Sequence, residues 1–425
     1  MRAFIGMAVY RLLLPLLFLV AFPSWLVKMA RRGGFGSGLR ERLSCYRTAL
    51  DYEPCGAVHL HAVSVGEALL ALKLLREWRK AEPDRKFVLA TGTSTGHAVA
   101  SESATDDLRV VYAPLDFRWM VKRYLNRFEP GQIVLVEGEA WPNLLHECRR
   151  RSIPVRLVNA RVSPRSKRRY HQFAAWVRPV FCLLDQVAVQ EADDAEIWTA
   201  LGIPKNRIVV TGSLKFDPGS GARPEPRAEF SEMLNHFGPD KAVVLAASTH
   251  AGEEVLITRA WRQASPSALL AIVPRHAERR MEIRSELEKE GFEVILRSAF
   301  SKPGNPANSV FLIDTTGELH NWTAHADVVI IGKSFLGTGG QNPCEAVIAG
   351  KPVIFGAHME NFEPLTSQLA DSGGCLRVAD PHDLPTALRR ALHRDRDLEI
   401  GITAARGTLA RHEGACARTV ALLRA

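Results

Sequence analysis

Three short stretches carry residue types that could manage a phosphate-bearing ligand. ASTHAGEE sets Ser248, Thr249 and His250 ahead of Gly252-Glu253-Glu254, and VPRH puts Pro274, Arg275 and His276 directly after an apolar run. GTGGQNPCEA leads from Gly339, Gly340, Gln341 and Asn342 into Glu345. Free backbone N–H groups at a helix start can hold a phosphate. Each stretch also has a plainer reading: Ser248 or Thr249 as a helix cap, Arg275 and His276 as solvated loop charge. In the third, Asn342 as N-cap, Pro343 at the first helical position and Glu345 closing a capping box satisfy the rules for a helix start. A cap, however, needs no glycines upstream, and Gly337, Gly339 and Gly340 permit close backbone approach and positive φ. The stretch is not a Walker loop, which ends in Gly-Lys-Ser/Thr, and it lacks the last glycine of the dinucleotide fingerprint. A different anion or a sugar is the expected ligand.

These stretches must be held by something, and the chain supplies apolar runs at regular intervals. AVHLHAVSVGE (57–67), KFVLATGTSTG (86–96), QIVLVEGEAWP (132–142), PVRLVNAR (154–161) and RIVVTGSLKFD (207–217) recur in the first half. KAVVLAASTHAGEE (241–254), ALLAIVPRH (268–276), VFLIDTTGEL (310–319), DVVIIGKSF (327–335) and KPVIFG (351–356) follow in the second. Continuous apolar strands alternating with helical patterns indicate parallel sheets covered on both faces. PGSGARPEP, between Asp217 and Arg227, is the best linker. The pattern is α/β: two doubly wound Rossmann-like domains facing a cleft, with ligands at the carboxyl ends of the strands. The expected boundaries are an anchor at 1–30, a first domain at 31–217, a linker at 218–227, a second domain at 228–395 and a helical tail at 396–425. The Ala-, Leu- and Arg-rich segment from Pro385 onward is expected to pack back across the first domain.

Length agrees, since 425 residues exceed one ordinary core. From Leu12 to Val27 no residue is charged, and Arg11, Lys28, Arg31 and Arg32 bracket the segment. As helix it would cover roughly 24 Å, short of a bilayer core of about 30 Å. A membrane anchor, spanning or monotopic, is expected; a signal peptide is the competitor, but no A-x-A-like site follows. The basic residues after the segment would keep the remaining chain cytoplasmic and attract anionic lipid. The formal charge of +9 is therefore assigned to a membrane surface and not to nucleic acid. Seven scattered cysteines without C-x-x-C spacing indicate neither disulfides nor zinc. Neither H-E-x-x-H nor an Asp-x-Asp after a strand occurs, so no metal and no cofactor is expected.

Taken in order, the strand ends resemble the 3-deoxy-D-manno-oct-2-ulosonic acid (Kdo) transferases of lipopolysaccharide assembly. The matching stretches are HAVSVGE, TGTSTG, EGEAWPNLL, NARVSPRSKRRY, TGSLKFD, AASTHAGEE, IVPRHAER, DTTGEL and GGQNPCEA, with GLRERL after the apolar segment. The resemblance implies a GT-B glycosyltransferase that inverts the sugar's anomeric configuration. CMP-Kdo would be the donor, a lipid A precursor (lipid IVA) the acceptor, and the bacterial inner membrane the location. It implies Glu41 as the base. Donor contacts would come from Ser213, Lys215, Ser248, Thr249, His250, Pro274, Arg275, His276, Gly317, Glu318, Leu319, Gly339, Gly340, Gln341, Asn342 and Glu345, the last aimed at a ribose. Acceptor contacts would come from Ser64, Gly66, Glu67 and Glu139.

The chain departs from the family pattern at several of these positions. Arg40 and Ser44 stand where relatives commonly have glycine, Gly138 and Ala140 interrupt a usual Glu-Thr-Glu-Leu-Trp-Pro, Ser213 replaces an Asn and Gln341 a His. Spacing alone would leave Glu41 paired with neighbouring arginines on a surface helix. Two alternatives stand beside the Kdo transferase reading: another membrane-surface GT-B enzyme using a UDP-sugar, and a sugar-nucleotide or lipid-binding module without turnover.

Overall fold

Among the described residues fourteen strands form two sheets, and every pairing between these strands is parallel. The computed structural model describes residues 2–31, 37–46, 55–138, 141–162, 164–217, 223–300 and 308–424. The first sheet contains β1 (Val58–Ala62), β2 (Phe87–Thr91), β3 (Leu108–Tyr112), β4 (Gln132–Val136), β5 (Val155–Ala160), β6 (Gln186–Val189) and β7 (Ile208–Val210). The second contains β8 (Val243–Thr249), β9 (Leu269–Pro274), β10 (Glu293–Leu296), β11 (Ser309–Leu312), β12 (Val328–Ile331), β13 (Val353–Phe355) and β14 (Cys375–Arg377).

Strand order in the first sheet is β3-β2-β1-β4-β5-β6-β7, and in the second β10-β11-β9-β8-β12-β13-β14. Both reverse direction once, between β1 and β4 and between β8 and β12. In open parallel sheets that reversal opens a crevice at the carboxyl ends of the strands, where ligands bind. The apolar runs are continuous because both faces are covered. In the first sheet Val58, Leu60 and Ala62 point into one core cluster while Ile133 and Leu135 point into the other.

The chain divides into one unit of Met1–Gly219 with Gly414–Ala425 and a second of Ser220–Glu413. The division cuts the expected tail in two. Arg396–Ala410 packs on helices of the second unit, whereas Ala415–Arg424 lies against the helix Val65–Ala81 of the first. Asp217 explains the return: its carboxylate accepts from the N–H groups of Gly414 at 3.1 Å and Cys416 at 2.7 Å, capping the last helix.

The apolar amino-terminal segment is one helix, Arg2–Arg31, unbroken at Pro15 and Pro23. Within it Gly6–Ser24, with a mean hydropathy of 1.8, is long and apolar enough to cross a membrane. It does not stand apart from the first unit. Tyr10 donates its hydroxyl to Asp116 at 2.8 Å, Arg11 donates Nε to Asn143 at 2.8 Å, and Phe18 meets Phe117 edge to face.

Candidate active site

The crevice of the first unit is lined by carboxylates. Ser64 caps Val65–Ala81 and shares its hydroxyl with Glu67, accepting from the Glu67 N–H at 3.2 Å and meeting Glu67 Oε1 at 3.0 Å. Glu67 Oε2 takes the Val63 N–H at 2.7 Å, so this carboxylate holds its own helix start. Gly66 sits in the first turn, exposed. Across the switch point Glu137 follows β4 with φ of 70°, and burial followed by the Glu67 charge pushes its carboxyl up, against Arg161 and Lys215. Glu67, Glu137, Gly138, Arg161, Ser166 and Tyr170 border a cavity of about 200 Å³. Glu139 and Ala140 lie outside the described residues.

Glu41 is the last residue but one of the short helix Ser37–Arg42. Its Oε2 accepts the backbone N–H of Tyr112, the last residue of β3, at 2.9 Å. Arg42, buried, stacks its guanidinium 4.3 Å above the Tyr112 ring and donates to the Gly92 carbonyl after β2. His97 stacks on Tyr112 with ring centroids 4.0 Å apart. Glu41 is thus no part of a free surface helix; it is bound to a strand end. Gly38 is required here, because a Cβ would stand 2.8 Å from the Tyr112 ring. Ser44 has φ of 58°, which explains why glycine suits this position; its hydroxyl offsets the strain by donating to Met120 O at 2.9 Å.

Ser213 and Lys215 follow β7 and belong to the first unit. Ser213 is buried, and Lys215 is exposed near enough to act on Glu137. Lys73 holds this turn by donating to the carbonyls of Leu214 and Asp217.

In the second unit the crevice between β8 and β12 is closed by two buried acids. Glu253 accepts from the N–H groups of His250 at 3.0 Å, Lys333 at 2.6 Å and Phe335 at 3.1 Å. Glu254 accepts from the Thr249 hydroxyl at 2.9 Å and from Arg279 at 3.0 Å, and burial pushes its carboxyl up. Neither Ser248 nor Thr249 caps the following helix, which starts after Gly252 with φ of 85°. The cap reading therefore fails at both residues, and the His250 N–H is taken by Glu253. Ser248 instead has φ of 57° and offers its carbonyl to the His250 ring.

Arg275 and His276 extend beyond Pro274, the end of β9. The Arg275 guanidinium is exposed and makes no hydrogen bond or ion pair with a described residue. The rings of His250 and His276 are 6.0 Å apart, and burial pushes His250 down. Gly317, with φ of 82°, turns the chain into Leu319–His325. Glu318 is engaged by Thr315, Arg297 and Trp322.

Gly339 and Gly340 take φ of 104° and 68°, as the cluster predicted, but what approaches them is the chain itself. A Cβ at Gly339 would stand 2.5 Å from Asn361 Nδ2, and one at Gly340 would run into Met359 Sδ. Glu360 accepts the Gly339 N–H at 2.6 Å. Gln341 is half-buried. Asn342 accepts the Cys344 N–H at 3.0 Å, but it stands one residue before the cap: Pro343 is the N-cap of Cys344–Ile348, so neither the expected N-cap at Asn342 nor Pro343 at the first helical position is realised. The expected capping box does not form. Glu345 lies 3.8 Å from His320 Nδ1 instead, both side chains 43% exposed.

Sequence reasoning missed the second half of each network. Glu137, Arg161, Glu253, Glu254 and Arg279 all lie inside the motifs quoted above, yet no spacing rule marks Glu137 for positive φ or both acids of Gly-Glu-Glu for burial.

The family model described as 3-Deoxy-D-manno-octulosonic-acid transferase (kdotransferase) matches residues 37–218. The 3-deoxy-D-manno-octulosonic acid transferase of Haemophilus influenzae is 33% identical over 357 residues, 83% of this chain and 82% of that one. Its counterpart from Bordetella pertussis is 33% identical over an alignment of 435 residues, 98% of each chain. The chain belongs to the Kdo transferase family. It is a glycosyltransferase, and the transfer of Kdo in lipopolysaccharide biosynthesis is its reaction. Among solved structures, Acinetobacter baumannii MurG is similar with a TM-score of 0.54 at 14% identity, covering 87% of this chain and 99% of that one. The putative UDP-N-acetylglucosamine 2-epimerase of Listeria monocytogenes gives 0.52 at 13% identity. These two likenesses concern the fold, which is of GT-B type.

Proposed function

We propose that this enzyme moves Kdo from CMP-Kdo to the primary hydroxyl of a lipid A precursor such as lipid IVA, at the cytoplasmic face of the inner membrane. Glu41 is the base. As the acceptor oxygen bonds to the anomeric carbon of Kdo, the bond from that carbon to the phosphate oxygen breaks, CMP departs with the electron pair, and the hydroxyl proton passes to Glu41. One displacement of this kind inverts the anomeric centre.

The observation that carries the reading is the linkage of Glu41 to the apolar helix. Tyr112 N–H fixes Glu41, Leu115 N–H donates to the Arg42 carbonyl at 3.1 Å, and Asp116 accepts from Tyr10 of the helix. A base joined through five residues to a membrane-seeking helix suits an acceptor that arrives from a membrane. Glu67 and Glu137 offer acceptor oxygens for the acceptor's sugar hydroxyls in their cavity, with Arg161 beside them for phosphate. On the donor side, the free guanidinium of Arg275 with His250 and His276 would stabilise the departing phosphate. Glu345 would accept from the ribose.

Detergent-solubilised full-length protein, incubated with CMP-Kdo and tetra-acylated precursor, is expected to yield a product heavier by one or more Kdo units on mass analysis. Transfer only from UDP-sugars, or no turnover with any donor, would overturn the proposal.

A further inference from the structure

The docked end of the amino-terminal helix does more than fasten it. Together with the helix Ala174–Phe181 it encloses a cavity of about 660 Å³. The walls are apolar: Met7 and Val9 on one side, Trp176, Val177, Val180 and Phe181 on the other. At one end Gly6 faces the Trp176 ring, to which a Cβ would make an ordinary contact at 3.4 Å. This volume falls within the range of small-molecule sites, which are mostly apolar with a few placed polar groups.

The placed groups here are Arg11 and His146. Arg11 uses Nε on Asn143, but its Nη2 is buried and has no hydrogen-bond partner. A buried donor left unmade is costly, so an oxygen acceptor brought in by a ligand would relieve it. Burial and then the Arg11 charge push His146 down, which leaves Arg11 as the cation of the site. The acid that acts on Arg11 is Asp116, whose carboxylate is already engaged by the Tyr10 hydroxyl and the N–H groups of Asn143 and Leu144, while Glu147 is held by Arg118 at 2.8 Å and Arg150 at 3.0 Å.

We propose that this cavity takes one acyl chain of the lipid acceptor, with an ester or hydroxyl oxygen of that chain at Arg11 Nη2. The claim rests on the acceptor reading above and names where its lipid goes. Two observations favour an acyl chain over a ring. Beyond the cavity the same helix exposes Leu12, Leu16, Leu17, Leu19 and Val20, so the cavity borders the surface that meets lipid. The distance also suits. Asp116, which holds Tyr10 at the cavity, is four residues from Tyr112, which holds Glu41, a span of at most about 14 Å. A sugar hydroxyl at Glu41 and a chain in the cavity are within reach of one molecule.

The test compares KM and kcat of full-length enzyme for the tetra-acylated precursor and for the same disaccharide stripped of its chains. Wild type is expected to show a KM about tenfold lower for the acylated acceptor, the effect of burying a few methylenes. Val177→Trp, which fills the cavity, should raise the acylated KM about tenfold, leave kcat within twofold, and bring the two KM values together. Val9→Trp fills it from the other wall and replaces Val177→Trp if that variant does not fold. An unchanged KM ratio in a folded variant overturns the proposal. So does a fall in sedimentation with phosphatidylglycerol vesicles at an unchanged ratio, which would assign the cavity to a bilayer lipid. Absence of transfer by wild type to either acceptor would instead defeat the functional reading.

Discussion

The backbone N–H of Tyr112 donates to the Glu41 carboxylate at 2.9 Å and so ties the expected base to the carboxyl end of β3. Gln at position 41 keeps an oxygen for that N–H and keeps the side chain's length, while it removes the proton acceptor. Glu41→Gln is therefore expected to bind CMP-Kdo as wild type does and to lose about 10²- to 10⁴-fold in kcat. Calorimetric donor titration beside a transfer assay checks this. Unchanged turnover would remove Glu41 from the chemistry.

The glycine cluster separates into positions with different duties. Gly340 has positive φ and faces Met359, whereas Gly337 has ordinary φ and only the flexible Lys333 side chain near it, at 3.2 Å. Gly340→Ala should cost about 1–3 kcal/mol, from left-handed strain and displacement of the 358–361 loop, and Gly337→Ala well under 1 kcal/mol. Thermal unfolding of the two variants side by side measures the contrast. Equal effects would mean that the two loops do not hold each other.

Ten of the fourteen described strands were legible as apolar runs. Of the four that were not, β3, β10 and β14 lie at sheet edges, with half-exposed or exposed faces and Arg109, Glu293 and Arg377 within them. β6 starts at half-buried Gln186, and its length does not set it apart, since β11 and β12 have four residues as well. The site was legible as motifs and less so as contacts. Asn342 could be read as a helix-start residue because its own neighbours decide it. Glu345 could not, since its partner His320 comes from another helix. Glu253 likewise gathers N–H groups eighty residues away, a relation no local pattern encodes. Positive φ at Ser44, Glu137, Asn159 and Ser248 was also hidden, because none is a glycine.

Asp116 provides a pH-dependent link between helix and domain. It accepts the N–H groups of Asn143 and Leu144 and the Tyr10 hydroxyl, yet burial outweighs these bonds and raises its pKa to about 6. A carboxyl raised in the folded state keeps a proton that the unfolded chain has lost between about pH 4 and 6, so its contribution to stability falls as pH rises through that window. His59 and His61, buried on β1 and pushed down to about 3 and 4, act with the opposite sign: they must gain protons on unfolding, and stability rises with pH toward 6.5. Asp116→Asn removes the Asp116 contribution alone. Its stability should rise with pH more steeply than wild type's between pH 4 and 6, by about one proton, or ~1.4 kcal/mol per pH unit. Chemical denaturation at several pH values gives both slopes, and parallel slopes would contradict the protonated Asp116.

Glu345 carries the sharpest division between a structural and a binding role. Its carboxylate is freed from capping, since Asn342 already serves the Cys344 N–H, and its partner among the described residues, the His320 imidazole, is 3.8 Å away with 43% of its side chain exposed. Exposed pairs of this kind contribute about 0–1 kcal/mol. Glu345→Gln is thus expected to shift stability by less than about 0.5 kcal/mol. A carboxylate accepting ribose hydroxyls is different, because a hydrogen bond to a charged group is worth about 1.5–3 kcal/mol. Donor affinity should fall about tenfold or more in the same variant, measured by titration with CMP-Kdo. Equal donor affinity would return Glu345 to the surface of its helix, and a large loss of stability would mean that the His320 pair holds the loop.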